Sequence, residues 1–432
     1  MIEKAQETIE QKDKRTRIAY IIEAGFEHFI SLFVTGALLE YLLSTLGFSD
    51  GLKGILSTVA AFACSAQFFT FFLVGRRKKK LVTIGHLIYQ LCFTCLYLMP
   101  IFPIDPSLKP VILVVLLISG HIIHNAINPT KIAWLMTSVP NSTRGRFTSL
   151  KEMISLAGGI ILSLSMGQIA ETFKDESGNP TETYYIICVS ALIVMTVIHT
   201  LSMIFSNEKD GDSRKKVSVK EALGRIVKNK NLVKVIIVGI VWNIANHIAN
   251  SFYASYLRGE LGFDLVIISY ISMGASLCRI AVSPLLGKIA DKYSFATSMT
   301  LSFSLVAVGY VAVVFTAPAT RWVYLVYAAL HAFAMAGINS GVINLIYDYV
   351  TPDDRAVAMA TKNAISGIFA FFTALISGII LDNIQQAGGV NLFGLNLYAQ
   401  QFLSIFAALA TVILIIYMRV VIVPMKKIEP KE

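Results

Sequence analysis

Apolar runs of about 20 residues recur from one end of this chain to the other, at about 18–43, 52–74, 81–103, 110–138, 153–172, 184–206, 233–257, 265–286, 295–317, 322–347, 363–384 and 398–422. A helix needs about that length to cross roughly 30 Å of hydrocarbon. Lipid offers no hydrogen bonds to a bare backbone, so a spanning chain must be helical or close into a barrel. The alternating segments of about ten residues that mark a barrel are absent. The fold class is therefore all-α and integral to the membrane, with twelve transmembrane helices, TM1 to TM12 in chain order. Only 15% of the residues are charged and the mean hydropathy is +0.66, whereas soluble chains carry about 25% charged residues. No large soluble domain fits between the runs.

The first 17 residues are polar and mixed in charge. They lack the apolar core and small-residue cleavage site of a signal peptide, so TM1 itself is expected to direct insertion. The even-numbered connections, both termini and the span ends beside them (Lys234, Arg419) hold 30 of the 37 Lys and Arg residues; the odd-numbered connections hold only Lys53, Lys109, Lys174, Arg258 and Arg321, and Lys131 and Arg279 lie deeper inside spans. By the positive-inside rule both termini face the cytoplasm, which predicts a multi-pass protein of the cytoplasmic membrane. The net charge of +10 then reflects topology, and no nucleic-acid partner is expected. The connection at 207–232 opens polar and turns amphipathic from Ser218, with Val219, Ala222, Leu223, Ile226 and Val227 at helical spacing. Such a basic helix suits the inner membrane surface; a solvated linker is the plainer alternative. It separates an N-terminal bundle (1–206) from a C-terminal one (233–432), six spans each. The five cysteines all lie in apolar runs, and Cys92 and Cys95 read as core packing, not as a metal or redox pair. No metal and no cofactor are expected.

A shift of about 211 residues lays the chain on itself. Arg144, Lys151, Ile154 and Ser155 fall on Arg355, Lys362, Ile365 and Ser366, and the ladder Ser155, Gly159, Ser163, Gly167 falls on Ser366, Ala370, Ala374, Gly378. His121 and Asn128 fall within one residue of His331 and Asn339, and Gly75 on Gly287. The halves are therefore a duplication, predicting two pseudo-symmetric six-helix bundles, an arrangement common among transporters. Small-residue ladders let helices approach closely in lipid, so TM5 and TM11 are expected to pack tightly within their halves.

The segment Gly287-Lys-Ile-Ala-Asp291-Lys292-Tyr-Ser294 between TM8 and TM9 resembles the G-x-L-a-D-R-x-G loop of the major facilitator superfamily. Lys292 stands where arginine is usual and Ser294 where the last glycine is expected; the first-half copy, GRRKKK, keeps Gly75 but has Lys79 in the aspartate's place. Pro140 with Arg144 and Gly145 is similar to the family's P-x-x-x-R-G after TM4, and Pro352 with Arg355 is a weaker copy. The resemblance covers essentially the whole chain. It implies the twelve-helix fold of that family, a monomer, and a cytoplasmic latch between halves. Here that latch would involve Gly75, Arg144, Arg146, Lys151, Gly287, Asp291, Lys292, Arg355 and Lys362. A topology anchor is the plainer role for Arg144, Arg146 and Lys151.

Ionisable groups inside spans are costly and therefore informative. In TM4, His121, His124, Asn125, Asn128 and Lys131 stand 0, 3, 4, 7 and 10 residues from the first, within one helix face. TM7 repeats the pattern with Asn243, Asn246, His247, Asn250 and Tyr253, preceded by Trp242. TM1 carries Glu23, Glu27 and His28, and TM10 carries His331 and Asn339. The family resemblance makes TM1, TM4, TM7 and TM10 the helices that line a central route. Interhelical hydrogen bonding accounts for any single Asn or His; together the four stripes point to a wet path. Glu27, near mid-span and one turn from Glu23, is the candidate proton carrier, since a carboxyl taken out of water exchanges protons nearer physiological pH. The histidines could share that role, and the oxygen donors would also suit sodium. Arg279 in TM8 could meet an anionic substrate group or pair with a carboxylate.

Amides, histidines, tyrosine and Trp242 with few formal charges favour a polar neutral solute such as a sugar, which amides bind through hydroxyl pairs and aromatics through ring faces. The reading is a secondary active transporter working by alternating access, with a small-molecule substrate, a proton or sodium as coupling ion, and the lipid bilayer as its setting. A multidrug exporter of the same fold and an intramembrane enzyme are the alternatives. No G-x-x-x-x-G-K-[ST] loop is present to suggest ATP-driven work.

Overall fold

The computed structural model describes residues 2–73, 78–140, 144–176, 178–208, 219–350, 355–392 and 394–425. All twelve expected spans are present: Glu10–Thr45, Asp50–Phe69, Lys79–Leu98, Lys109–Ser138, Leu150–Thr172, Glu182–Phe205, Lys230–Glu260, Leu265–Lys292, Phe295–Val314, Pro318–Ile346, Val357–Gln386 and Ala399–Ile422. Large apolar side chains such as Ile161, Val308 and Ile413 stand exposed along them. On a soluble protein so much apolar surface would mark an interaction face; here it matches lipid.

Several spans are not single helices. TM1 continues a helix that starts at Ile2, breaks after Phe33 and restarts at Gly36, whose φ of +58° glycine adopts without strain. TM4 and TM8 enclose Pro129 and Pro284. A proline nitrogen has no hydrogen to give the carbonyl one turn back, which loosens TM4 between His124 and Lys131. TM7 is α-helical over Lys230–Ala249, tightens to a 3₁₀ turn at Asn250–Phe252 and ends in a π turn at Tyr256–Glu260.

The chain forms two compact units. The first comprises Met1–Phe48 and Ala66–Lys216. In it TM1 packs on TM5 and TM6, and TM3 on TM4 and TM6. The TM5 glycines make the TM1 contact possible: a Cβ on Gly158 would lie 2.4 Å from the Phe29 ring, and one on Gly159 2.6 Å from His28 Nε2. Tyr20, Val82, Trp134, Leu135 and Met203 form a core at one end of this unit.

The second unit comprises Ser49–Ser65 and Val217–Glu432. It therefore includes most of TM2, a span the sequence counts with the first six. In this unit TM9 packs on TM10 and TM12, and TM7 on TM11 and TM12. TM2 begins at Ser49, whose Oγ accepts from Leu52 N and donates to Asp382 Oδ2 at 2.7 Å. Gly51 N donates to Asp382 Oδ1 at 2.8 Å, and Gln385 Nε2 to Asp50 Oδ2 at 3.0 Å. The glycines again set the spacing. A Cβ on Gly51 would be 2.4 Å from Gly378 O, and one on Gly367 would be 1.9 Å from Ala61 O. The TM11 ladder is thus in tight contact, but against TM2, which the sequence counts with the other half, and not only within its own half as expected; the division of the chain into units at Ser49–Ser65 follows that contact.

An amphipathic helix is present at Val219–Lys228. Ile226 is buried, but Val227 is 72% exposed and lies off the covered face. An antiparallel hairpin, Val390–Leu392 with Leu395–Leu397, joins TM11 to TM12 and was not foreseen.

Candidate functional site

In the first unit the polar stripes of TM1 and TM4 converge. Lys131 is buried, and its Nζ donates to Glu23 Oε1 and to Glu27 Oε2. Glu23 and Glu27 lie one helical turn apart, so a single ammonium bridges both. Glu27 Oε1 faces His124 Nε2 at 2.9 Å and Tyr89 Oη at 3.4 Å, and lies 3.9 Å from His86 Nδ1. Glu23 Oε1 accepts from His199 Nε2 at 3.2 Å. Two carboxylates against one ammonium leave a formal charge of −1, with three imidazoles at hand. Bare charge at such depth is costly, so this cluster calls for a further cation.

TM3 and TM6 supply His86, Tyr89 and His199, none of them anticipated. A signal was available: all seven histidines of the chain lie inside spans. His86 and His199 stack with ring centroids 5.3 Å apart and planes 19° from parallel. With Glu27 they offer one ligand atom each within 4.8 Å of one another, a grouping capable of holding a metal where none was expected.

Other TM1 and TM4 candidates lie outside the ion cluster. His28 points to Gly159 of TM5 and packs on its small-residue ladder. His121 rests against the Phe93 ring at 4.9 Å. Asn125 accepts from Gln67 Nε2 at 3.3 Å and donates to His121 O at 3.0 Å. Asn128 Oδ1 is buried with no hydrogen-bond partner among the described residues.

The second unit holds a neutral network. Asn246 Oδ1 accepts from Tyr310 Oη at 3.3 Å and lies 3.4 Å from His331 Nε2, while Asn250 Oδ1 accepts from Tyr327 Oη at 2.8 Å. His247 Nδ1 meets Ser251 Oγ at 2.9 Å, and Asn243 Nδ2 donates to Gly239 O at 2.8 Å. Two expectations fail here. Trp242 is 7% exposed and packs on Phe303, so its ring face is unavailable for stacking on a solute. Tyr253 is likewise buried, with its hydroxyl spent on Ser404 Oγ at 2.7 Å. Arg279 is half-buried and, among the described residues, makes no ion pair, so of the two roles open to it the pairing with a carboxylate is not seen. Asn339 is exposed.

Of the latch candidates, Gly75 lies outside the described residues, as do the side chains of Arg144, Arg146 and Arg355. Lys151 sits over the Tyr20 ring at 5.0 Å, inside its own unit. Lys362 reaches Asn363 Oδ1 at 3.3 Å and packs against Gly239. Gly287 has open space around it, Asp291 and Lys292 are exposed, and Lys292 lies over Tyr293.

A sequence profile of the Major Facilitator Superfamily matches residues 24–326 and 244–432. Human solute carrier family 67 member A1 is 25% identical over 159 residues, 37% of this chain and 34% of that protein. Rat solute carrier family 22 member 18 is 26% identical over 126 residues, 29% of this chain and 31% of that protein. The matches thus span about a third of the length of these curated relatives. Among solved structures, a mutant form of the nucleoside transporter NupG superposes with a TM-score of 0.70 at 13% identity, over 94% of this chain and 99% of that one. A D-xylose-proton symporter superposes with a TM-score of 0.68 at 14% identity, over 94% and 96%. Likeness at such low identity speaks for the fold alone.

Proposed function

Since this chain belongs to the major facilitator superfamily, we propose that it is a membrane transporter rather than an enzyme and that it moves a small polar neutral solute by alternating access, coupled to a cation that enters the Glu23–Lys131–Glu27 cluster. The observation that carries the coupling is the charge imbalance of that cluster. Two carboxylates hold one ammonium at membrane depth, and a proton delivered through His124 makes good the deficit. Sodium on the same oxygens is the alternative the chemistry allows. The solute falls to the second unit, where Asn243, Asn246, Asn250 and His331 offer amides and an imidazole, not formal charges. Fold neighbours that carry a nucleoside and D-xylose agree with a polyhydroxylated cargo. With Trp242 and Tyr253 buried, hydrogen bonding has to supply the recognition that aromatic stacking was expected to share.

The distribution of the Lys and Arg residues supports a cytoplasmic membrane setting with both termini inside.

A thermal-shift screen of the purified protein against sugars, nucleosides, amino acids and hydrophobic cations tests the cargo, because a ligand of the folded state raises its stability by mass action. Uptake of the stabilising solute into proteoliposomes, driven by a pH gradient, then tests coupling. Accumulation should be lost in Glu27→Gln while downhill exchange persists. Stabilisation by hydrophobic cations alone would overturn the polar-solute reading in favour of a multidrug exporter; accumulation driven only by a sodium gradient would replace the proton.

A further inference from the structure

We propose that Glu27, His86 and His199 form a binding site for a first-row divalent transition-metal ion. Three independent observations lead there. One ligand atom from each residue lies within 4.8 Å of the other two, from three different helices, TM1, TM3 and TM6. At bond lengths of about 2.0–2.2 Å, two ligands of a tetrahedral ion sit ~3.4 Å apart, so the set has to draw in by no more than ~1.4 Å.

His86 is the second observation. Its ring is fully buried, and neither Nδ1 nor Nε2 has a hydrogen-bond partner among the described residues. An imidazole normally needs a partner for at least one nitrogen when removed from water. A metal ion at this position supplies it.

The third observation concerns His199. Its Nε2 faces Glu23 Oε1 at 3.2 Å while Nδ1 has no hydrogen-bond partner among the described residues. A carboxylate on one ring nitrogen with the other nitrogen free is the arrangement that orients a metal-bound histidine and raises its basicity. Glu23 then acts as a positioning residue.

Ligand chemistry selects the class of ion. Two imidazoles and one carboxylate suit zinc, iron(II), cobalt or manganese, whereas magnesium and calcium prefer an all-oxygen shell. With Lys131 in place the cluster carries −1 and a divalent ion would take it to +1, so the ion neutralises the two carboxylates only when Lys131 gives up its proton. The ion thereby competes with the coupling cation for Glu27. That consequence rests on the function proposed above, whereas the site itself does not.

Cobalt(II) titration of the purified, chelator-treated full chain tests the site, read by the visible absorption of a nitrogen- and oxygen-ligated ion. One equivalent should produce the band in the wild type and in His28→Ala, a histidine outside the cluster. The band should vanish in both His86→Ala and His86→Gln, and Glu23→Gln should weaken binding by ~10–100-fold. Size-exclusion profile and metal-free melting temperature identify any variant that has merely misfolded, and two His86 substitutions keep the test open. No band in the wild type, or a band that persists in both folded His86 variants, overturns the proposal. Cation-driven uptake in excess chelator tests the transport reading alone, so a blank titration with intact coupling sinks the metal site and spares the function.

Discussion

Lys131 is the residue on which the first unit's polar interior turns. Removing one member of a buried ion set leaves the others uncompensated, at a cost of about 3–5 kcal/mol. Lys131→Met should therefore lower the melting temperature sharply, and adding Glu27→Gln to it should recover part of the loss, since one stranded carboxylate is then neutral. Thermal unfolding of the four members of that double-mutant cycle measures the coupling; simple additivity would mean the two side chains do not act on each other. Much of this cluster is legible in the sequence. Glu23 and Glu27 stand four apart and His124 and Lys131 seven apart, spacings that hold each pair to one helix face. His86 and His199 are harder to read because each is the only Asp, Glu, Lys, Arg or His of its apolar run, and a lone histidine carries no periodic signal. The burial of Trp242 was illegible for a related reason: periodicity says that a ring faces inward, not whether it meets a void or the Phe303 ring.

Glycine decides how closely the helices of each unit approach. Gly367 of TM11 has the Ala61 carbonyl where its Cβ would be, at 1.9 Å, and a backbone atom cannot step aside as a side-chain tip can. Gly367→Ala should cost about 1–3 kcal/mol by overpacking. Gly274 of TM8 has nothing within 4 Å, so Gly274→Ala should be neutral or gain up to ~1 kcal/mol of helix propensity. Melting temperatures of the two variants side by side check the contrast; equal shifts would show that the TM11 contact is looser than drawn. The ladders themselves are plain in the sequence, but their partners are not. Steps of four small residues say that a helix packs closely, and the partner emerges only in three dimensions, TM1 for TM5 and the start of TM2 for TM11. The breaks in TM1 and TM7 leave no trace in the hydropathy, which averages over a window wider than one turn.

For the molecule as a whole, twelve spans and an even number of crossings make orientation a single choice. The proposal of cytoplasmic termini puts the TM3–TM4 connection outside; Ser107 in that connection is exposed. A cysteine placed there by Ser107→Cys should react with a membrane-impermeant maleimide on intact cells, and one placed by Tyr293→Cys, between TM8 and TM9, should react only after permeabilisation. The reverse pattern would turn the whole topology over. The bond from Gly51 to Asp382 adds a constraint of a different kind, since it joins residues 331 positions apart. At a synthesis rate of about 5–20 residues per second, the start of TM2 waits roughly 15–65 s after leaving the ribosome before its partner helix exists. Its glycine face spends that interval against lipid, which exerts little drive for helices to find substitute partners. The last spans to be made are thus the ones that complete the packing of one of the first, and a chain truncated before TM11 leaves the beginning of TM2 without the neighbour it was shaped for.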